Sequence, residues 1–275
     1  MRNNQRRLGA TARPQAPSAP PAQSGLAFAV PTEFVELPSR GEYYSEDHPF
    51  YKQEAVEIRF MTAKDEDILS SQALLKKGLV IDRLLESLIV ADVDASSLLI
   101  GDRSALLIAA RISSYGDEYN VMYTCPKCLT KNEVNFDLKQ GKISDLCFDE
   151  EHLKENEITY DPETLTFDLT LPVSGVTVGL ALIDGETEKQ FTEDDQDSLI
   201  TTMLSIFLVK ANGETDPDQV YSFIESMPAR DSKYVRDIYP TLIPSFQLLH
   251  EFQCTACLYI EETEVPLSAD FFWPK

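Results

Sequence analysis

The sequence predicts an α+β protein in which two β-hairpins carry cysteine knuckles and two helical regions pack with them, one inserted between the knuckles. Three observations lead there. Cys125-Pro126-Lys127-Cys128 and Cys254-Thr255-Ala256-Cys257 are C-x-x-C pairs, each set in sequence that alternates apolar and polar residues as half-buried strands do. Apolar residues recur at helical spacing through 62–113. A second helix-patterned stretch, 192–239, lies between the two pairs.

Residues 1–32 come first, rich in Pro, Ala, Gln and Ser, as in Arg13-Pro14-Gln15-Ala16-Pro17-Ser18-Ala19-Pro20-Pro21. That composition cannot bury enough apolar surface to offset chain entropy, so a flexible tail is expected, either a docking arm or a leader without a role. Residues 33–61 form an N-terminal strand region. It holds the turn signal Pro38-Ser39-Arg40-Gly41 and an alternating strand over 55–61, with Val56, Ile58 and Phe60 on one face.

Residues 62–117 predict a helical bundle. Thr62 with Asp65 three residues on is a capping-box variant that starts the first helix, and Ile68, Leu69, Ala73 and Leu74 carry it to Gly78. A second helix runs over about 80–90. A third follows Asp102 through Leu106, Leu107 and Ala110 to about Ser113.

Strands over 119–123 and 133–138 flank the first knuckle, and strands flank the second, so residues 118–140 and 246–275 form one discontinuous domain. Between them, 141–245 predicts a β-hairpin of 165–171 and 176–183 around Pro172-Val173-Ser174-Gly175. A helix to about Val209 follows, then one opened by Asp216-Pro217 that continues to Met227. A further turn or two is expected over 232–239.

Four thiolates close a tetrahedral shell around zinc at about 2.3 Å and leave no open position. A C-x-x-C turn offers two sulfurs to one side of an ion, so Cys125, Cys128, Cys254 and Cys257 predict one structural zinc in a zinc-ribbon-like pair of hairpins. The usual separation of such pairs is about 15–20 residues; here residues 129–253 intervene. The ligands come from separate turns, so an insertion need not disturb them. A redox-active pair would sit at a helix N-terminus, and strand patterns surround both pairs instead. Cys147, beside Leu146 and Phe148, reads as a buried structural thiol. His250 is either a contact to the ion's surroundings or an ordinary half-buried strand histidine.

No catalytic constellation is present in the sequence. His48, His152 and His250 form no H-E-x-x-H pair, and no G-x-S-x-G, P-loop or G-x-G-x-x-G motif occurs. With a closed metal shell, the expectation is a protein that is not an enzyme. Acids outnumber bases 46 to 24, for a net charge of −22. Four of those bases, Arg2, Arg6, Arg7 and Arg13, precede the first acid, Glu33, which leaves 20 bases against 46 acids beyond it. Such a field disfavours nucleic acid and anionic lipid and favours basic protein surfaces. No run reaches the roughly 20 apolar residues of a membrane span, and no secretory h-region is seen, so neither membrane nor export is expected.

Several strings are similar to one family. They are Leu37-Pro38-Ser39-Arg40-Gly41-Glu42-Tyr43-Tyr44, Met61-Thr62-Ala63-Lys64-Asp65-Glu66-Asp67-Ile68-Leu69, Leu98-Leu99-Ile100-Gly101-Asp102 and Ala109-Ala110-Arg111-Ile112, with the first knuckle and the ending Phe271-Phe272-Trp273-Pro274. Through them the chain resembles the T4-like baseplate (hub) proteins of contractile-tailed bacteriophages, over most of 32–138 and the final stretch. One departure is Leu258, which follows Cys257 where a glycine is often seen. The resemblance implies a virion or assembly protein, made in the host cytoplasm and placed in the tail baseplate. It would work by surface complementarity with other tail and baseplate hub proteins. An alternative within the same setting is a tail-assembly chaperone that acts on the tape-measure protein and leaves before maturation. A zinc-ribbon nucleic-acid binder is the third class, and the net charge opposes it. Phe271, Phe272 and Trp273 are candidates for an aromatic anchor on a partner; the competing reading is that they fill the protein's own core.

Overall fold

The computed structural model of the protein describes residues 29–144, 146–190, 199–264 and 269–272. From Pro31 onward the described residues form one compact unit. The expected tail lies outside the described residues up to residue 28, and Thr32 already belongs to a strand.

That strand, β1 (Thr32–Glu36), pairs antiparallel with β2 (Ala55–Arg59), Phe34 facing Glu57 in register. The alternation of Val56 and Ile58 gave β2 away, and both are buried. Between the strands, the turn at Pro38–Tyr44 is fixed from a distance. Asp102 is fully buried and accepts hydrogen bonds from Ser39 N (3.0 Å), Ser39 Oγ (2.6 Å) and Tyr44 O–H (2.7 Å). A buried carboxylate needs such donors to offset its desolvation.

Asp65 does cap the first helix, taking a 2.7 Å bond from Thr62 N. The helix is not continuous to Gly78, however. It breaks at Ser71 (φ −68°, ψ 104°) into α1 (Ala63–Ser70) and α2 (Gln72–Leu75). Two adjacent serines, which compete with the helix for backbone hydrogen bonds, account for the break. Next come α3 (Val80–Leu88) and α4 (Ile100–Tyr115); α4 starts two residues before Asp102. The helices meet through Leu84, Leu85, Leu88, Leu106 and Ala110, all buried, and through the Arg103–Asp82 pair at 2.8 Å.

The chain then enters β3 (Glu118–Thr124) and β4 (Lys131–Asp137), the first knuckle hairpin. The second is β11 (Leu249–Gln253) with β12 (Ile260–Glu264). Their inner faces pack on each other: Tyr123 meets Phe252 at 4.6 Å and Phe136 meets His250 edge-on at 4.8 Å.

The chain between the two hairpins leaves and returns through one two-stranded neck, and it also packs on the N-terminal region, where Ile100 N donates to Ile183 O at 3.1 Å and Gly185 N to Leu98 O at 3.1 Å. The strand β5 (Lys142–Ser144) pairs antiparallel with β10 (Ser245–Gln247), placing Ser144 opposite Ser245. Pairing at this neck explains how the two knuckles meet despite the long stretch between them. Beyond the neck lie α5 (Glu150–Glu155), β6 (Thr159–Asp161), β7 (Thr166–Thr170), β8 (Thr177–Ala181) and α6 (Gly185–Gln190). They are followed by α7 (Leu199–Phe207), β9 (Leu208–Ala211), α8 (Pro217–Ser226) and α9 (Ala229–Leu242).

The expected hairpin is β7–β8, but it is the centre of a four-stranded antiparallel sheet in the order β6-β7-β8-β9. Its outer strands were not foreseen. β9 continues the apolar run of α7, so Val209 lies in a strand rather than at a helix end. Asp216 caps α8, accepting from Gln219 N at 3.1 Å. α9 is 14 residues long and carries Pro240 inside it, so the turn or two expected over 232–239 was too short. The helix expected from 192 falls partly on residues outside those described.

Phe271 and Phe272 are 2% and 4% exposed. Phe271 stands edge-on to Tyr119 at 5.1 Å, and Arg111 Nε donates to its carbonyl at 2.8 Å. This corrects the reading of these two rings as a surface anchor: they fill the protein's own core, where aromatic area is taken out of water. Trp273 lies outside the described residues.

Candidate metal centre

Each knuckle is built the same way. After β3, Cys125 N donates to Thr130 O at 2.9 Å and Leu129 N donates to Cys125 O at 2.9 Å. After β11, Cys254 N donates to Tyr259 O at 2.8 Å and Leu258 N donates to Cys254 O at 3.0 Å. To close these turns the residue after the second cysteine takes a left-handed backbone: φ is 59° at Leu129 and 58° at Leu258. For a residue with a Cβ that conformation costs on the order of 1 kcal/mol or more.

The expected ligands do converge. The Sγ atoms of Cys125, Cys128, Cys254 and Cys257 all lie within 4.8 Å of one another. Across the two knuckles, Cys125 to Cys257 is 3.7 Å and Cys128 to Cys254 is 3.5 Å. All are free thiols. Four zinc–sulfur bonds of about 2.3 Å in a tetrahedron put the sulfurs about 3.8 Å apart, and the cross-knuckle separations fit that figure. Cys125 and Cys254 are fully buried; their partners lie nearer solvent.

Crowding splits the thiols. Cys254 is pulled down to about 6, chiefly by the Cys257 N–H, with burial opposing and the Ala256 N–H assisting. For Cys257 the Tyr259 N–H favours the thiolate, but burial and the other three sulfurs push it up to about 12. Cys128 is lowered by the Thr130 hydroxyl and N–H. Neighbouring thiolates repel, and a cation among them is what lets all four ionise.

Asn132 was not foreseen, and it joins the two knuckles. It is 4% exposed on β4. Its Nδ2 donates to Thr130 O at 2.9 Å and lies 3.7 Å from Cys254 Sγ; its Oδ1 accepts from Thr255 N at 2.9 Å and Thr255 Oγ1 at 2.7 Å. The signal was available: Asn132 is a polar residue in the apolar phase of Val134 and Phe136. Beside it, Tyr123 O–H donates to Glu261 Oε1 at 2.8 Å, and Lys127 Nζ sits 5.7 Å from the Tyr259 ring centre.

His250 is half-buried with its ring against Phe136. Cys147 is buried apart from the four-cysteine cluster and its carbonyl accepts from Tyr43 O–H at 3.2 Å. Among the described residues this four-cysteine cluster is the group arranged to hold a metal. With every position of a tetrahedron supplied by sulfur, such a centre can cross-link the hairpins but has no position for substrate or water.

The fold around this centre is α+β, with four cysteines of two hairpins gathered at one point. The chain matches the family of T4 bacteriophage base plate proteins over residues 31–273, and it belongs to that family. No curated protein and no solved structure matches it. The match extends the resemblance through the inserted helical region. Membership points to a structural part of a phage tail that interacts with other tail components, and to a non-enzymatic role. No helix among the described residues is long and apolar enough to cross a membrane.

Proposed function

We propose that this chain is a non-catalytic structural or assembly component of a contractile-tail baseplate or hub. It acts by binding other tail proteins and is held in shape by one zinc ion on Cys125, Cys128, Cys254 and Cys257. The observation that carries the proposal is the convergence of four sulfurs within 4.8 Å on two hairpins, inside a chain of the base plate family. Bound zinc supplies charge neutralisation and a cross-link. The chain's own residues do the rest: β5–β10 brings the hairpins together, and Asn132 sets the second knuckle's backbone against the first. The body's excess of acids suits docking on basic surfaces of neighbouring proteins.

Elemental analysis of protein purified without added metal tests the first half, with one zinc per chain expected; folded protein with no metal overturns it. Mass spectrometry of purified virions tests the second half. Stoichiometric presence is expected, and absence favours a chaperone that leaves before maturation.

A further inference from the structure

The end of the ribbon carries two leucines in an unusual state. Leu129 is 75% exposed and Leu258 69% exposed, and both hold the left-handed backbone described above. The third left-handed leucine, Leu165 (φ 54°), is half-buried, so it gains packing from its turn. The knuckle leucines gain little. Each occupies a position where glycine would relieve strain and a polar residue would avoid exposing apolar surface to water. Both penalties appear at the equivalent place in the two knuckles. Strain of this kind, held in place by the surrounding structure, is the starting point for a functional inference. Ile260, two residues beyond Leu258, adds a third exposed apolar side chain at 53%.

The two knuckle turns themselves carry no acid, the nearest being Glu261, which accepts from Tyr259 O–H at 3.2 Å and Tyr123 O–H at 2.8 Å. Cys125–Lys131 contains Lys127 and Lys131 and no acid, and Cys254–Ile260 contains no charged residue, in a chain of net charge −22. Both lysines are exposed, and neither is in an ion pair among the described residues. Leu129 and Leu258 each follow a cysteine of the same four-sulfur cluster, so they flank one point.

We infer that the knuckle end is a docking surface, in which Leu129, Leu258 and Ile260 enter an apolar site on another tail protein and Lys127 and Lys131 meet carboxylates at its rim. This rests on the proposed baseplate function and names the surface and partner chemistry it would use. The partner is then the opposite of the one the acidic body suits, so a single copy can join two neighbours of different charge. Nucleic acid is disfavoured, because the whole molecule is anionic and the aromatic residue at this end, Tyr259, is half-buried and tied to Glu261 at 3.2 Å.

The test is complementation of phage lacking this protein. Particles are purified and the protein in them quantified by mass spectrometry. Leu129→Gly with Leu258→Gly is expected to fold with a melting temperature no lower than wild type and the same metal content. Its incorporation should fall about tenfold or more, as for loss of an interface centre. Leu129→Asn with Leu258→Asn, which keeps left-handed residues but removes the apolar groups, should behave alike, and Lys127→Glu with Lys131→Glu should also lose incorporation.

Wild-type incorporation by the leucine variants overturns the proposal, as does a fall in melting temperature or metal content in both pairs, which makes the leucines structural. A wild-type dimer in sedimentation that the glycine pair dissolves overturns it in favour of a second copy as occupant. Binding of labelled duplex DNA that the lysine reversals abolish overturns it in favour of nucleic acid. Absence of the wild-type protein itself from particles is a distinct result: it defeats the baseplate reading, and this proposal with it.

Discussion

Asp65 shows how much a single side chain can hold. It is fully buried, takes both Arg59 guanidinium nitrogens at 2.8 Å, and accepts from Thr62 N and Ser87 Oγ at 2.7 and 2.8 Å. Burial by itself would raise its pKa, but Arg59, the Thr62 N–H, Ser87 and the Thr62 hydroxyl outweigh it and hold the carboxyl well below the usual range. Because the folded value is depressed, its stabilisation is complete above the unfolded carboxyl pKa of about 3.9 and is lost as pH falls toward the folded value. Asp65→Asn should therefore cost about 3–5 kcal/mol at neutral pH, as for breaking a buried pair. Its urea midpoint should fall less steeply below about pH 4 than that of wild type.

Arg111 is the buried counterpart without a carboxylate: it donates to the carbonyls of Phe271, Gly116 and Glu118. Lysine cannot reproduce that fork, so Arg111→Lys should lose about 2–3 kcal/mol in urea unfolding. At this scale the sequence pointed to the cysteines because spacing alone names them. It gave no warning that Arg111 would seat the C-terminal rings, since that contact spans the length of the body.

Among elements, the neck of the insertion decides the most. Gly101, in the first turn of α4, lies so close to the neck that an added Cβ would come within 1.8 Å of Pro244 O. Helix and neck backbone are therefore in direct contact, and neither can yield without moving a whole element. Gly101→Ala should destabilise by about 1–3 kcal/mol, as overpacking does, and protein unfolding should detect it while metal content stays at one per chain. If metal is lost as well, the neck and the knuckles are coupled more tightly than their separate hydrogen bonds imply. Elements announced by strong local signals appeared where expected: α3, β3, β4, the β7–β8 hairpin and the Asp216-Pro217 start of α8. Those without such signals did not. β6 and β5 are three residues each, too short for periodicity, and β9 is concealed in the apolar run of α7.

For the molecule as a whole, the four cysteines are expected to act as one staple. Zinc removal by chelator at neutral pH should lower the melting temperature and expose amides of both hairpins to exchange together, since metal binding is folding free energy for its ligand turns. Cys254→Ser should do the same to the first hairpin as to the second. Asn132→Ala should weaken zinc by roughly 10- to 100-fold in a chelator competition, the usual effect of removing an outer hydrogen bond to a metal centre. A loss confined to one hairpin would show that each folds independently of the shared ion.

The amino-acid sequence by itself determined the α+β class, the metal-type cysteine pairs, the main helices and the resemblance to base plate proteins. Each of these is written in local spacing or in short strings, and local spacing fixes which face of an element is apolar. Only the tertiary structure decided what is joined across long separations. It brought β5 to β10 so that the distant knuckles meet, and placed Asn132 between them. It also turned Phe271 and Phe272 inward and left Leu129 and Leu258 outside. The reason is physical: burial depends on what the rest of the chain places opposite a side chain, and an aromatic or a leucine reads the same in sequence whether it closes a core or waits for a partner.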